Sequence, residues 1–233
     1  MMRVERIGEA TLILGDAADH LANLQVASCV LTDPPFGIAY KSNWRTDALW
    51  DGDEISGDND VTLRDYVLGR LHGRPMLVFG SWKAPKPPNT RHVLIWDQGG
   101  ALGMGDLSMP WKPSAQEIYV LGTGFVGARD EGSVLQCAPV QSMAKNGRLH
   151  PNEKPVALLS RLLAKMPPGP VADPFMGSCS TGHAAILAGR PFVGCEISQR
   201  YFETALRRIE QAQRQGDLLR DVLPKPKQEA MPW

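Results

Sequence analysis

Val171-Ala172-Asp173-Pro174-Phe175-Met176-Gly177-Ser178-Cys179-Ser180-Thr181-Gly182 is the stretch on which the fold turns. Apolar residues end on an acid, a proline forces the chain out of the strand, and small residues follow. Ser180 to Gly189 then reads as a helix. A strand, a tight loop and a helix start form a cradle where backbone N–H groups can approach a small ligand. Phe192-Val193-Gly194-Cys195-Glu196 follows as another strand ending on an acid. A carboxylate about twenty residues after such a loop suits a pair of ribose hydroxyls. The G-x-G-x-x-G fingerprint is absent, which disfavours NAD and fits a nucleoside-type cofactor without a pyrophosphate.

Working outward, the apolar runs predict strands over 12–15, 26–32, 76–79, 93–96 and 117–121, which with 171–173 and 192–196 make seven. The run Val26 to Thr32 stops at Asp33-Pro34-Pro35, because a proline pair cannot continue a central strand. Helices are expected over 61–71 and from Pro155, where Val156, Leu158, Leu159, Leu162 and Leu163 repeat at helical spacing. Another is expected over 201–215, with Phe202, Ala205, Leu206 and Ile209 on one face. Strands alternating with helices predict an α/β fold with a mostly parallel sheet flanked by helices. Residues 37 to 60, with Trp44 and Trp50, read as a long loop that stacks against a partner or is partly buried. Trp82, Trp96 and Trp111 read as core or loop anchors, and His183 as structural.

The 233 residues suffice for one well-cored domain. Lys+Arg and Asp+Glu each number 25, so a polyanionic partner must meet a local basic surface and not a net field. No run approaches a membrane span or a signal-peptide core, so no membrane partner is expected. Cys29, Cys137, Cys179 and Cys195 lack C-x-x-C spacing and read as reduced thiols of a cytoplasmic protein. The histidines are scattered, so no metal is expected.

Asp33-Pro34-Pro35-Phe36 offers an acceptor, a carbonyl on a rigid backbone and a flat face. Together these could hold the exocyclic amino group of a stacked nucleobase; taken alone, the four residues read more readily as an ordinary turn. Three motifs stand in order: Asp33-Pro34-Pro35-Phe36 after a strand, His150-Pro151-Asn152-Glu153-Lys154-Pro155 before a helix, and Asp173-Pro174-Phe175-Met176-Gly177-Ser178. This order closely resembles the S-adenosylmethionine-dependent amino-methyltransferases of DNA, in their circularly permuted β class. The resemblance runs from about Leu12 to Ile209.

The resemblance implies a Rossmann-like, seven-stranded methyltransferase sheet with permuted motif order. It implies a catalytic domain over 1–215, a C-terminal tail over 216–233, and target recognition by segments 97–115 and 122–149. Catalysis would rest on Asp33, Pro34, Pro35 and Phe36: Asp33 and the Pro34 carbonyl accept the amino hydrogens, and Phe36 stacks on a base flipped out of double-stranded DNA. The cofactor would be held by Asp16, Lys154, Asp173, Phe175, Gly177, Ser178 and Glu196, with Glu196 at the ribose and Lys154 near the cofactor carboxylate. Arg129, Lys145 and Arg148 are candidate DNA contacts, and a homodimer could pool two recognition surfaces. Phe36 stands where tyrosine is commoner, and Asn152 where threonine is. Cys179 and Ser180 replace the usual glycine and threonine, and a side chain at 179 could crowd the cofactor or demand an altered backbone. An aspartate leading the first motif favours adenine N6, with cytosine N4 as the alternative. RNA as the substrate and a non-catalytic DNA-binding relative are further readings.

Overall fold

The computed structural model describes residues 3–37, 60–99, 108–140 and 153–222. Nine strands form one sheet: β1 (Arg3–Ile7), β2 (Ala10–Leu14), β3 (Cys29–Thr32), β4 (Met76–Gly80), β5 (His92–Asp97), β6 (Ala115–Leu121), β7 (Val134–Gln136), β8 (Val171–Asp173) and β9 (Phe192–Glu196). Their order across the sheet is β1-β2-β9-β8-β3-β4-β6-β5-β7. All seven expected strands are present. The two additional ones, β1 and β7, sit at the sheet's edges, where one flank goes unpaired and the demand for an apolar run is weakest. Pairing is parallel from β2 through β9, β8 and β3 to β4, and antiparallel on both sides of β6. β5 and β7 are parallel again, so every strand but β1 and β6 points the same way.

Central strands alternate their side chains between two buried faces. Leu12, Leu31, Leu77, Phe79 and Val171 face α3 (Val156–Leu163), α4 (Ser180–Leu187) and α5 (Gln199–Val222) in one apolar cluster. Ile13, Val30, Val78 and Ala172 face α1 (Leu21–Leu24) and α2 (Thr62–Arg70) in the other. This two-sided burial is why these strands read as unbroken apolar runs. Two boundaries differ from expectation. Pairing in β3 begins only at Cys29, because Val26 is exposed and the Ala27 N–H still bonds the Leu24 carbonyl behind α1. The last helix runs past 215 to Val222.

The topology creates the crevice. From β8 the chain passes through α4 to β9 on one side, whereas from β3 it passes through α2 to β4 on the other. The two progressions part between β8 and β3, and open α/β sheets bind ligands at the carboxyl edge of such a switch point.

Candidate active site

Four neighbouring strands each finish on an acid at this edge. Asp16 follows β2, Glu196 ends β9, Asp173 ends β8 and Asp33 follows β3, in spatial order. Their surroundings differ, and burial or a neighbouring like charge raises a carboxyl pKa.

Asp16 caps the short turn of helix at Ala17–His20 by accepting the Ala18 N–H at 2.9 Å. Glu196 accepts the Gly177 N–H at 2.9 Å on one oxygen and the Ser198 N–H at 2.7 Å on the other. Burial outweighs those bonds and pushes the Glu196 carboxyl up to about 7. Asp173 is buried at the switch point, and Oδ1 accepts the Thr32 hydroxyl at 2.6 Å and the Phe175 N–H at 3.1 Å. Burial pushes it up to about 6, against those hydrogen bonds and with the help of the Asp33 charge. The Thr32–Asp173 bond crosses the switch point and ties the first motif to the third.

Asp33 is bonded through Oδ2 to the ammonium of Lys154. Burial raises the Asp33 carboxyl above the ordinary aspartate range, and Lys154 pulls against that rise. The Lys154 ammonium also lies 5.0 Å from the centroid of the Phe79 ring, which in turn meets Trp96 edge-on. Lys154, expected near a cofactor carboxylate, is tied directly to Asp33. Among the described residues, Asp33 Oδ1 is buried and has no hydrogen-bond partner. Such a group costs about 1–3 kcal/mol unless something donates to it. Pro34 is buried, and Pro35 and Phe36 are half-buried.

The loop after β8 is held from behind. Arg208, on α5 and almost fully buried, donates to the Ser178 carbonyl at 3.0 Å, to Ser178 Oγ at 3.1 Å and to Ser180 Oγ at 2.8 Å. Its other amino group pairs with Glu153, also buried. One guanidinium therefore joins the third motif to the residue preceding Lys154. Ser178 has its hydroxyl inside this strap. Arg208 and Glu153 were not singled out from the sequence. The available signal was an arginine three residues after Ala205, on the flank of an apolar stripe, where a lone cation needs a buried partner.

Gly177 has φ +50°, and a Cβ built there would meet nothing within 4 Å, so open space lies against the loop. Cys179 adopts φ 65°, ψ 42°, the left-handed conformation that glycine takes without cost. Its side chain is fully buried, and its sulfur would lie 2.4 Å from a Cβ on Gly182. Cys179 thus holds the backbone conformation that a glycine would take, with its side chain turned into the core. Burial raises the pKa of the thiol far beyond its ordinary range.

Arg129 is exposed in the segment after β6, whose end lies opposite the start of β4, at the edge of the sheet away from Asp33 and Asp173. That segment packs on the end of α3, where Lys165 donates to the Ala128 carbonyl at 2.7 Å. Arg129 is therefore not brought to the crevice. Lys145 and Arg148 lie outside the described residues, as do Trp44, Trp50, His150, Pro151 and Asn152. Trp96 is a core residue as expected, whereas Trp82 and Trp111 are exposed.

The chain is similar to DNA adenine methyltransferase YhdJ of Escherichia coli K12, 42% identical over 83 residues, which is 35% of this chain and 28% of that protein. It is 24% identical over 223 residues to the putative methylase YubD of the same organism, covering 87% of this chain and 91% of that protein. The fold matches the M1.HpyAVI–SAM complex with a TM-score of 0.60 at 18% identity, over 86% of this chain and 98% of that one. It also matches the cytosine-N4-specific PvuII DNA methyltransferase with a TM-score of 0.63 at 14% identity, over 91% and 93%. The family model described as DNA methylase, of the N6/N4 methyltransferases, matches residues 83–207, over half of the sequence and including Lys154 and the loop after β8. The chain belongs to the N6/N4 DNA methylase family.

Proposed function

We propose that the protein transfers a methyl group from S-adenosylmethionine to the N6 amino group of an adenine flipped out of double-stranded DNA. Asp33 Oδ1, buried and without a donor among the described residues, carries this reading. It is an acceptor beside a rigid proline pair, at the switch point of a methylase sheet, and an exocyclic amino group is the donor it lacks. Its partner oxygen is fixed by Lys154, so the carboxylate is oriented before substrate arrives.

The crevice fits the cofactor. Open space at Gly177, the Glu196 carboxyl at the tip of β9 and Asp16 at the tip of β2 offer room for the methionine end, an acceptor for ribose hydroxyls and an acid near the adenine. Phe175, beside Asp173, would border it. When bound, S-adenosylmethionine supplies an electrophilic methyl on a sulfonium.

Asp33 Oδ1 accepts one amino hydrogen and the Pro34 carbonyl the other, which draws the nitrogen lone pair out of conjugation and turns it outward. Phe36 stacks on the base and keeps water from the nitrogen. As the nitrogen–carbon bond forms and the carbon–sulfur bond breaks, one amino proton is released, and Asp33 Oδ1 is positioned to take it. Alignment and fixed charges supply the catalysis. Adenine is favoured by the aspartate at the head of the motif and by the name of the relative YhdJ. Cytosine N4 presents the same amino chemistry.

Incubation with labelled S-adenosylmethionine and unmethylated genomic DNA, followed by nucleoside mass spectrometry, tests the reading. N6-methyladenine is the expected product. N4-methylcytosine would overturn the choice of base, and cofactor binding with no methyl on DNA would overturn the reaction.

A further inference from the structure

Trp82 and Trp111 are the most exposed large apolar side chains among the described residues, with 78% and 76% of their surfaces open. Indoles left in water forgo the burial that makes them core residues elsewhere, as Trp96 is here. Each is followed by a lysine, in Trp82-Lys83 and Trp111-Lys112, and the Lys83 ammonium lies 5.7 Å from the centroid of the Trp82 ring.

Distant in sequence, the two pairs converge through strand register. Gly80 pairs with Glu117, so Trp82 leaves the tip of β4 where the residues after Trp111 enter β6. Thr32 pairs with Val78, which sets Asp33 at the same edge on the adjoining strand. With strands about 4.8 Å apart, the tips of β4 and β6 stand about 5 and 10 Å to the side of the β3 tip. They lie across Asp33 from the loop at Asp173–Ser178, which follows β8. Residues 80–90 and 108–115 contain Lys83, Lys86 and Lys112 and no acid. On β5 and β6, Asp97 and Glu117 accept hydrogen bonds from the Gly99 N–H and the Tyr119 hydroxyl.

From this we infer that Trp82 and Trp111, with Lys83, Lys86 and Lys112, form a DNA-contact surface beside the target base. The indoles stack on neighbouring bases and the lysines meet backbone phosphates. The inference rests on the crevice being a DNA methylase site. Aromatic faces give sequence-tolerant stacking, and lysines give a salt-dependent attraction to phosphates. Protein–protein interfaces instead deplete lysine, which argues against a second copy of the chain as the occupant.

Fluorescence anisotropy with a labelled duplex pool of random sequence tests this for Trp82→Ala, Trp111→Ala, Trp82→Phe and Trp111→Phe. Calorimetry with S-adenosylhomocysteine reads the cofactor site in parallel. Each alanine variant is expected to lose roughly tenfold in DNA affinity, with phenylalanine restoring most of it and cofactor affinity unchanged. Lys83→Gln with Lys112→Gln should lower the salt slope by roughly two and leave the fold intact, so it carries the test if an alanine variant melts early. Alanine variants that bind DNA like the wild type would overturn the surface. So would a conversion from dimer to monomer, seen by sedimentation, as their main effect. Wild-type protein that binds S-adenosylhomocysteine but no DNA would instead fail the methylase reading, and the surface with it.

Discussion

Asp33 Oδ2 is held by Lys154 while Oδ1 stays buried without a donor among the described residues, so a single carboxylate is both anchored and left open. Asp33→Ala removes the acceptor at a strand tip and should lower the rate of methyl transfer by at least about 10²-fold, with an unchanged circular dichroism spectrum. An active, folded Asp33→Ala would remove Asp33 from the mechanism. Cys179 poses a different residue-scale question. A non-glycine residue in the left-handed region costs roughly 1–2 kcal/mol, and here the cost is offset by burying the sulfur against Gly182. Since that sulfur lies in the core and not in the crevice, Cys179→Gly should leave the calorimetric Kd for S-adenosylmethionine within about threefold of wild type. A large loss would mean that packing of the buried Cys179 side chain holds the loop in the shape the cofactor needs.

At the scale of elements, α5 acts on the site through Arg208. Its guanidinium holds the start of α4 and the loop before it with one amino group, and the approach to α3 with the other. His183 on α4 is near enough for the Arg208 charge to add to burial in lowering its pKa, so it stays neutral there. Breaking a buried pair by removing one partner strands the other charge and costs about 3–5 kcal/mol. Arg208→Ala should therefore destabilise the protein by about that amount in urea unfolding. The pair of Arg208→Ala and Glu153→Ala should be clearly less than additive. If Arg208 only filled space, Arg208→Met would restore both stability and cofactor affinity; restoration of stability alone would mark it as a positioning residue.

Across the whole molecule, Asp173 and Glu196 at adjacent strand tips link stability to pH. Asp173 and Glu196 have folded values of about 6 and about 7, both above those of free carboxyl groups. The folded state then holds more protons than the unfolded chain between roughly pH 4 and 7. Their contribution is complete below the unfolded values and is lost as pH rises through the folded ones. The ligand-free protein should accordingly lose roughly a few kcal/mol between pH 5 and 8, read from urea midpoints, and Glu196→Gln should flatten the upper part of that slope. Affinity for the cofactor should run the other way, rising with pH as Glu196 becomes the carboxylate that ribose hydroxyls require. An affinity that is flat with pH, or unchanged in Glu196→Gln, would remove Glu196 from the cofactor site.

The seven principal strands, the α/β class and the three motifs were legible in the sequence, because each is a local signal. A strand buried on both faces must be continuously apolar, a proline pair must end it, and an acid at a strand tip stands out against that background. Strand neighbours, by contrast, are set by how the helices cover the two faces, and no local window records that. Only the tertiary structure decided that β8 lies beside β3, bringing Asp173 onto Thr32 across the switch point. Only it paired Lys154 with Asp33 and Arg208 with Glu153, because a buried charge finds its partner through space and not through spacing. It also separated the tryptophans, with Trp96 in the core and Trp82 and Trp111 in solvent, since an indole's burial depends on what the fold sets above it.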